Sequence, residues 1–227
     1  MVPGLGIMSK HIKAALLDLD GTLVHYETAH VVSEVKRITV ELDLPEPTEQ
    51  HIRYCIAQGT MSKLISESLN PDFESLFWKM FSEEELYPMR LLPKVIPTLK
   101  QLTDLGMKLA LVTARDSDET QLYRHLEDAG IRDFFSTVVT KRRLSPPWSG
   151  KESYFQSAMR ELQLLPHQVV SVGDRPSDAR SAKAVGVSLN ILVRTGGIEE
   201  SVLRDSPCHH LVDDISHLPS LLLEPIS

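Results

Sequence analysis

The spacing of hydrophobic residues changes along the chain and divides it into three parts. The stretch from Ala14 to Leu23, AALLDLDGTL, begins with a continuous apolar run that stops at Asp18, as expected of a strand covered on both faces in a parallel sheet. Between Val24 and Arg90 apolar residues recur at helical intervals, and no strand-like run interrupts them. The first part therefore predicts a buried strand, and the second predicts an all-helical insertion.

From Leu91 onward, helical stripes alternate with short apolar runs. The first stripe ends at Gly106, a residue that suits the left-handed end of a helix. The apolar runs that predict strands are Met107 to Thr113, Val138 with Val139, Val169 to Val172 and Val187 to Val193. Such alternation predicts a doubly wound, mostly parallel α/β sheet. We therefore expect a core domain of residues 1–23 and 91–227, with a small helical cap domain of residues 24–90 inserted after the first strand.

Composition and charge narrow the class of protein. The chain has 227 residues, 42% of them hydrophobic, and a net charge of -7. An acidic chain is repelled by nucleic-acid phosphates and by anionic lipid, so we expect neither as a partner. No apolar run approaches the ~20 residues of a membrane span, and no signal-peptide core is visible. We therefore expect a cytoplasmic protein. Cys55 and Cys208 fit a reducing compartment and predict small buried side chains, not a disulfide framework.

Pairs of carboxylates follow two of the predicted strands. Asp18 and Asp20 end the first strand, and Gly21 after them permits a sharp change of chain direction. Asp174 follows the strand VVSV, and Asp178 lies one helical turn further on, so that both can face one point. Open α/β sheets bind ligands at the carboxyl ends of their strands. Taken singly, each Asp could equally be a cap of the next helix.

Two further strand ends carry polar residues. The strand that ends in LVTAR places Thr113 and Arg115 at the same edge of the sheet. The Thr113 hydroxyl and the backbone N–H groups after it suit phosphate oxygens, although a Thr at a strand end, or Ser117 as a helix cap, is also common without a ligand. Lys151 opens a helix in SGKESYF, against the helix dipole. It is therefore either solvated or held in place by nearby negative charge.

The four carboxylates require a positive charge if the strand ends meet. Two like charges about 4 Å apart repel by roughly 4 kcal/mol at an effective dielectric constant near 20. Mg²⁺, which prefers oxygen ligands and keeps several waters, meets that need, with Lys151 as an additional point charge. No His or Cys cluster offers a softer metal site, and the adjacent His209 and His210 suit a surface or packing pair.

Together, the motifs DLDGT, the Thr of LVTAR, a Lys and GDRPSD follow one another in the order of the haloacid dehalogenase superfamily. The chain resembles the phosphoglycolate phosphatase-like branch of these phosphohydrolases, with a C1-type helical cap over a Rossmann-like core. The resemblance implies that Asp18 is the nucleophile that receives the phosphoryl group. It implies that Asp20 protonates the leaving oxygen and then activates water. Because dehalogenase members lack an acid at this second position, Asp20 favours phosphate-ester chemistry.

The same resemblance assigns the remaining site residues. Thr113, Ala114 and Arg115 would bind the phosphoryl oxygens, and Lys151 would neutralise the phosphate and the nucleophile. The metal residues would be Asp18, Asp20 through its backbone carbonyl, Asp174, and Asp178 as the residue that orients the metal ligands.

One departure from the family pattern leaves the third motif open. Family members often have Lys-Pro-x-Pro there, whereas Pro146 and Pro147 precede Lys151 in this chain. Lys141 or Arg143 could therefore hold the cationic position, although only Lys151 opens the helix that leads to the fourth motif.

The resulting prediction is a Mg²⁺-dependent phosphatase, monomeric or homodimeric, that acts on a small phosphorylated metabolite. A phosphomutase of the same fold is one alternative, which Thr22 disfavours, and a non-catalytic binding module is another. Residues 58–63 form a polar break in the cap and are a candidate specificity loop, or an ordinary helix connection. His25, Arg53 and Lys63 are further candidates for contact with the distal part of the substrate.

Overall fold

The computed structural model describes residues 11–61, 63–64, 70–79, 89–115, 118–141 and 151–223. Within this part of the chain, six parallel strands form one sheet in the order β3-β2-β1-β4-β5-β6. The strands are β1 (Ala14–Leu17), β2 (Lys108–Val112), β3 (Phe135–Val139), β4 (Val169–Gly173), β5 (Leu189–Val193) and β6 (His210–Val212). The doubly wound α/β fold predicted from the sequence is confirmed.

Helices connect and cover these strands. In chain order they are α1 (Thr28–Glu41), α2 (Glu49–Ala57), α3 (Pro71–Lys79), α4 (Val95–Asp104), α5 (Glu119–Asp128), α6 (Glu152–Leu162), α7 (Pro176–Ala184), α8 (Glu200–Arg204) and α9 (Leu218–Leu223). The helical stripe of α4 is buried, as predicted, and Gly106 after it has a φ of 80°. The short edge strand β6 was not predicted because it has only three residues, and all three are partly or fully exposed.

The sheet lies between two hydrophobic layers. All four residues of β1 are buried, and alternate residues face opposite layers: Ala15 and Leu17 pack with α4 and α5, while Ala14 and Leu16 pack with α6. This burial on both faces explains why the sequence of β1 is continuously apolar. The predicted strand from Val187 begins at Leu189 instead, because Val187 packs in the loop that follows α7.

The elements that the structure describes between β1 and α4 are the three helices α1 to α3, and this segment has a hydrophobic cluster of its own. Thr48 caps α2, since its side chain accepts a hydrogen bond from the His51 N–H at 3.2 Å. A single bridge between Val24 and Leu91 joins the two ends of the segment. The cap boundaries of 24 and 90 stay a prediction. Among the described residues, no helix is long and apolar enough to cross a membrane.

Candidate active site

Two adjacent strands deliver acidic side chains to one point. Strands β1 and β4 pair in parallel, and the Asp18 N–H extends this pairing by donating to the Val172 carbonyl at 3.0 Å. Asp18 and Asp174 therefore lie side by side at the carboxyl edge of the sheet, where parallel strands end together. Asp178 joins them from the first turn of α7, where its Oδ2 accepts a hydrogen bond from the Arg175 N–H at 2.9 Å.

The three carboxylates form a compact buried cluster. One oxygen each of Asp18, Asp174 and Asp178 lies within 4.8 Å of the other two, and the three residues are at most 7% exposed. Among the described residues, neither oxygen of the fully buried Asp174 has a hydrogen-bond partner. Buried carboxylate oxygens without partners are costly unless a cation binds them. The donors are all oxygens, so the cluster fits a hard divalent cation such as Mg²⁺.

Three glycines leave the space that the carboxylates of Asp174 and Asp178 occupy. A Cβ atom at Gly196 would lie 1.7 Å from Oδ2 of Asp174, and one at Gly21 would lie 2.5 Å from the same oxygen. A Cβ at Gly173 would lie 2.3 Å from Oδ2 of Asp178. No larger residue fits these three positions while the two carboxylates stay in place.

Lys151 supplies a positive charge beside this cluster. Its ammonium nitrogen lies 2.6 Å from Oδ1 of Asp18 and 2.8 Å from Oδ1 of Asp178. The residue is the N-cap of α6, and its backbone N–H donates to the Ser181 hydroxyl at 3.0 Å. The preference for Lys151 over Lys141 agrees with this geometry, because the described cavity is lined by Lys151 and not by Lys141. Arg143 lies outside the described residues.

Burial and mutual repulsion change the proton affinities of these groups. Burial raises the pKa of the Asp18 carboxyl, Lys151 offsets part of this effect, and Asp178 adds to it. Burial also holds the pKa of Asp174 well above its usual range, against the attraction of Arg175. Burial alone would lower the pKa of Lys151, but the carboxylates of Asp178 and Asp18 outweigh burial and raise it. Lys151 is therefore charged throughout the ordinary pH range.

Asp20 has a different environment from the cluster. The Arg115 guanidinium holds its carboxylate through two hydrogen bonds, Nε to Oδ2 at 2.8 Å and Nη2 to Oδ1 at 2.7 Å. The Arg115 side chain is 3% exposed, whereas that of Asp20 is 20% exposed and faces the cavity. A bidentate pair of this kind fixes the orientation of the carboxylate. The sequence predicts that Arg115 lies near the phosphate, but it does not predict this pairing.

The predicted phosphate-binding residues lie beside Asp18. Thr113 follows β2 and is 1% exposed, and its hydroxyl accepts a hydrogen bond from the Arg115 N–H at 3.2 Å. Thr113 and Ala114 both line the cavity that contains Asp18 and Asp20. The structure therefore brings all the predicted site residues to one edge of the sheet.

The cavity at this edge has a volume of about 310 Å³. Its remaining walls come from residues to which the sequence analysis assigns no catalytic or metal role: Tyr26, Met61, Phe77, Tyr154, Arg175 and Ser177. Met61 belongs to the candidate specificity loop, in which Ser62 lies outside the described residues. Phe77 is spaced from its apolar neighbours as on one face of a helix. Nothing in the sequence around it indicates that it also lines a cavity.

The other candidates lie elsewhere. His25, Arg53 and Lys63 are exposed and do not line the described cavity, and Arg53 pairs instead with Glu49 on α2 at 2.7 Å. His209 has a structural contact, because its Nδ1 accepts a hydrogen bond from the Asn190 N–H of β5 at 3.0 Å. Cys55 is buried, as predicted, whereas the prediction is wrong for Cys208, which is only partly buried.

Known proteins resemble the chain over most of its length. Residues 15–191 match the family model described as haloacid dehalogenase-like hydrolase. A phosphoglycolate phosphatase of Nitrosospira multiformis is 28% identical over 77% of this chain and 80% of its own length. The pyrophosphatase PpaX of Bacillus pumilus is 25% identical over 95% of this chain and 94% of its own.

A solved structure extends the likeness to the fold. The crystal structure of a predicted phosphoglycolate phosphatase from Haemophilus somnus superposes with a TM-score of 0.72 at 22% identity, covering 93% of this chain and 98% of that one. With the family model matching more than half of the residues, the chain belongs to the haloacid dehalogenase-like hydrolase family, as a phosphatase of its phosphoglycolate phosphatase-like branch.

Proposed function

We propose that this protein is a Mg²⁺-dependent phosphatase that hydrolyses a monoester of a small phosphorylated metabolite through an aspartyl phosphate on Asp18. The observation that carries the proposal is the buried cluster of Asp18, Asp174 and Asp178 beside Lys151, with both oxygens of Asp174 left without hydrogen-bond partners among the described residues. The domain division proposed with it is a core of residues 1–23 and 91–227 and a cap of residues 24–90.

Each residue of the cluster has a role in the proposed reaction. Asp18 and Asp174 would hold the metal together with the backbone carbonyl of Asp20, and Asp178 would orient the ligands. Bound Mg²⁺ would supply positive charge against the phosphoryl oxygens. Lys151 neutralises the charge shared by Asp18 and the phosphoryl group, which is the main demand that phosphoryl transfer makes on a protein.

The proton transfers fall to Asp20. In the first step an oxygen of Asp18 forms a bond to phosphorus, the ester P–O bond breaks, and Asp20 gives a proton to the leaving oxygen. In the second step Asp20 takes a proton from the water that attacks phosphorus, which releases Asp18 and inorganic phosphate. The two hydrogen bonds from Arg115 bind the ionised carboxylate of Asp20, which is the form that takes the proton in the second step, and they fix its orientation. The turn of Thr113, Ala114 and Arg115 would receive the phosphoryl oxygens.

Substitution of the nucleophile tests the proposal. We expect Asp18→Asn to lower kcat for p-nitrophenyl phosphate in Mg²⁺ by at least about a thousandfold, because an amide does not form the phosphoenzyme. Mass spectrometry of the parent, quenched during turnover, should find phosphate on the peptide that contains Asp18. As a control, Asp213→Asn changes a carboxylate that is 76% exposed and should leave turnover unchanged. Equal rates for Asp18→Asn and the parent would contradict the assignment.

A further inference from the structure

Four residues of the cavity lining contribute apolar or aromatic side chains. Met61 and Phe77, from the helical segment, line the cavity and are 7% and 2% exposed. Tyr154 of α6 and Tyr26, in the connection from β1 to α1, contribute aromatic rings to the same lining. The group that leaves with the ester oxygen would therefore meet hydrophobic side chains once the phosphoryl group lies at Asp18.

The cations of the described lining are already engaged with carboxylates of the site. Arg115 binds Asp20 through two hydrogen bonds, and Lys151 contacts Asp18 at 2.6 Å. The third cation, Arg175, has its Nε 3.6 Å from Asp174 and its guanidinium carbon 4.7 Å from the centre of the Tyr26 ring. A second anionic group on a substrate would have to displace one of these pairs, which is costly in a buried site.

Basic side chains of the cap lie outside this cavity. Within the described cap residues, Lys36, Arg37, Arg53 and Arg90 form ion pairs with neighbouring Glu side chains, and none of them lines the cavity. Lys63 and Lys79 are exposed. By sequence, positions 62, 65–69 and 80–88 contain four Glu and no Lys, Arg or His. The cap therefore has little means of placing a cation against a carboxylate on the leaving group.

From this juxtaposition we infer that the substrates are phosphate monoesters whose leaving alcohol is compact, uncharged and largely apolar, with Met61 and Phe77 as the specificity-determining residues. This inference rests on the proposed phosphatase function and adds a substrate class to it. A cavity volume of about 310 Å³ is at the lower end for small-molecule sites and suits an alcohol of a few carbon atoms beside the phosphoryl group.

A pair of isosteric substrates tests the inference in the unmodified enzyme. Isobutyl phosphate and phosphoglycolate have leaving groups with the same number of non-hydrogen atoms and the same branching, but only glycolate carries a negative charge. We expect kcat/KM for isobutyl phosphate to exceed that for phosphoglycolate by at least about tenfold. From ethyl to propyl to butyl phosphate, kcat/KM should rise about fourfold per methylene until the cavity is full. Preference for phosphoglycolate, or no dependence on chain length, would overturn the inference.

Substitutions at Met61 and Phe77 test whether these two residues cause the substrate preference. Met61→Lys should shift the ratio of the two kcat/KM values towards phosphoglycolate by about tenfold or more, because it places a cation on the apolar wall. Phe77→Leu should raise KM for butyl phosphate more than for ethyl phosphate. The exposed Tyr54 on α2 supplies a control, since Tyr54→Ala should leave both ratios unchanged. Unchanged ratios in folded Met61→Lys and Phe77→Leu proteins would contradict the role of this wall.

The outcome is separable from that of the proposed function. Release of inorganic phosphate from isobutyl phosphate and from phosphoglycolate in Mg²⁺, and its loss in Asp18→Asn, are measured in the same preparations. If the parent hydrolyses no ester, or if Asp18→Asn keeps full activity, the proposed function fails. If hydrolysis needs Asp18 but phosphoglycolate is the better substrate, only the substrate class is wrong.

Discussion

Replacing Asp174 by Asn should stabilise the metal-free protein and remove its response to Mg²⁺. Asp174 is fully buried, and its oxygens have no hydrogen-bond partner among the described residues. Without a metal ion, a charge at this position is repelled by Asp18 and Asp178. When a metal ion is bound, the same carboxylate serves as a ligand of the metal. The substitution keeps the shape of the side chain and removes the charge, so its effect on stability should change sign between the two conditions.

The magnitude follows from the distances. Carboxylate oxygens within 4.8 Å of each other repel by at least ~3.5 kcal/mol per pair at an effective dielectric constant of 20. Asp174 takes part in two such pairs; the attraction to Arg175 at 3.6 Å and to Lys151 offsets most of this repulsion, and the cost of burying the charge remains. We therefore expect Asp174→Asn to raise the free energy of unfolding in EDTA by about 1–3 kcal/mol, within the range seen when buried charges are replaced. In a chain of this size that is a rise in Tm of roughly 2–4 °C per kcal/mol.

The pH dependence has a defined sign. Because burial raises the pKa of Asp174 in the folded state, the folded protein binds a proton there at pH values where the unfolded chain does not. The contribution of Asp174 to metal-free stability therefore falls as pH rises from its ordinary pKa through the raised one. The difference in Tm between Asp174→Asn and the parent should accordingly widen with increasing pH across that window.

The assay is thermal unfolding of both proteins in EDTA and in Mg²⁺. At a concentration of 100 times Kd, Mg²⁺ should stabilise the parent by about 2.7 kcal/mol and the variant by much less. The exposed Asp213→Asn substitution is the matched control and should behave as the parent does in both conditions. A lower Tm of Asp174→Asn in EDTA, or an undiminished shift with Mg²⁺, would refute the reasoning.

Two further substitutions test the surroundings of the cluster. Arg115→Met removes both hydrogen bonds to Asp20 and should lower kcat about a hundredfold with little change in KM, while Arg115→Lys should restore part of the loss; a change confined to KM would argue against orientation of the acid. Gly196→Ala would place a Cβ 1.7 Å from Oδ2 of Asp174, so we expect the Mg²⁺ concentration needed for half-maximal activity to rise at least about tenfold. Gly106→Ala, where the added Cβ meets open space at a φ of 80°, should lower Tm without changing that concentration, and equal effects of the two glycine variants on Mg²⁺ would count against the steric argument.

Three of the site residues that the sequence predicts share one property, which is that each directly follows a buried strand. Asp18 comes directly after β1, Thr113 after β2 and Asp174 after β4, and parallel pairing brings these strand ends together whatever the intervening loops do. The sheet itself was predictable for the same reason, because strands buried on both faces are continuously apolar. The edge strand β6 lacks that burial, and its pattern therefore gives no signal.

Contacts between distant residues of ordinary type were not predictable. Arg115 and Asp20 are 95 positions apart, and nothing near either residue indicates a bidentate pair. Met61 and Phe77 belong to helical stretches whose apolar spacing is fully explained by packing in the cap cluster. Their second role arises only because the cap places these helices over the strand ends, which is a property of the tertiary arrangement.

This difference explains why the chemistry is easier to infer than the substrate. Phosphoryl transfer needs charge neutralisation at one fixed point, and the backbone supplies that point: the strand ends carry the carboxylates, while Gly21, Gly173 and Gly196 leave the space that two of them occupy. The leaving group has no such requirement, since any cap surface of suitable size and polarity can meet it. In the proposed enzyme, selection of the leaving group would therefore depend on a few side chains of the helical segment, apart from the carboxylate cluster. For this reason a cap lined by apolar residues is a better guide to the substrate than the names of relatives that share 28% or less of the sequence.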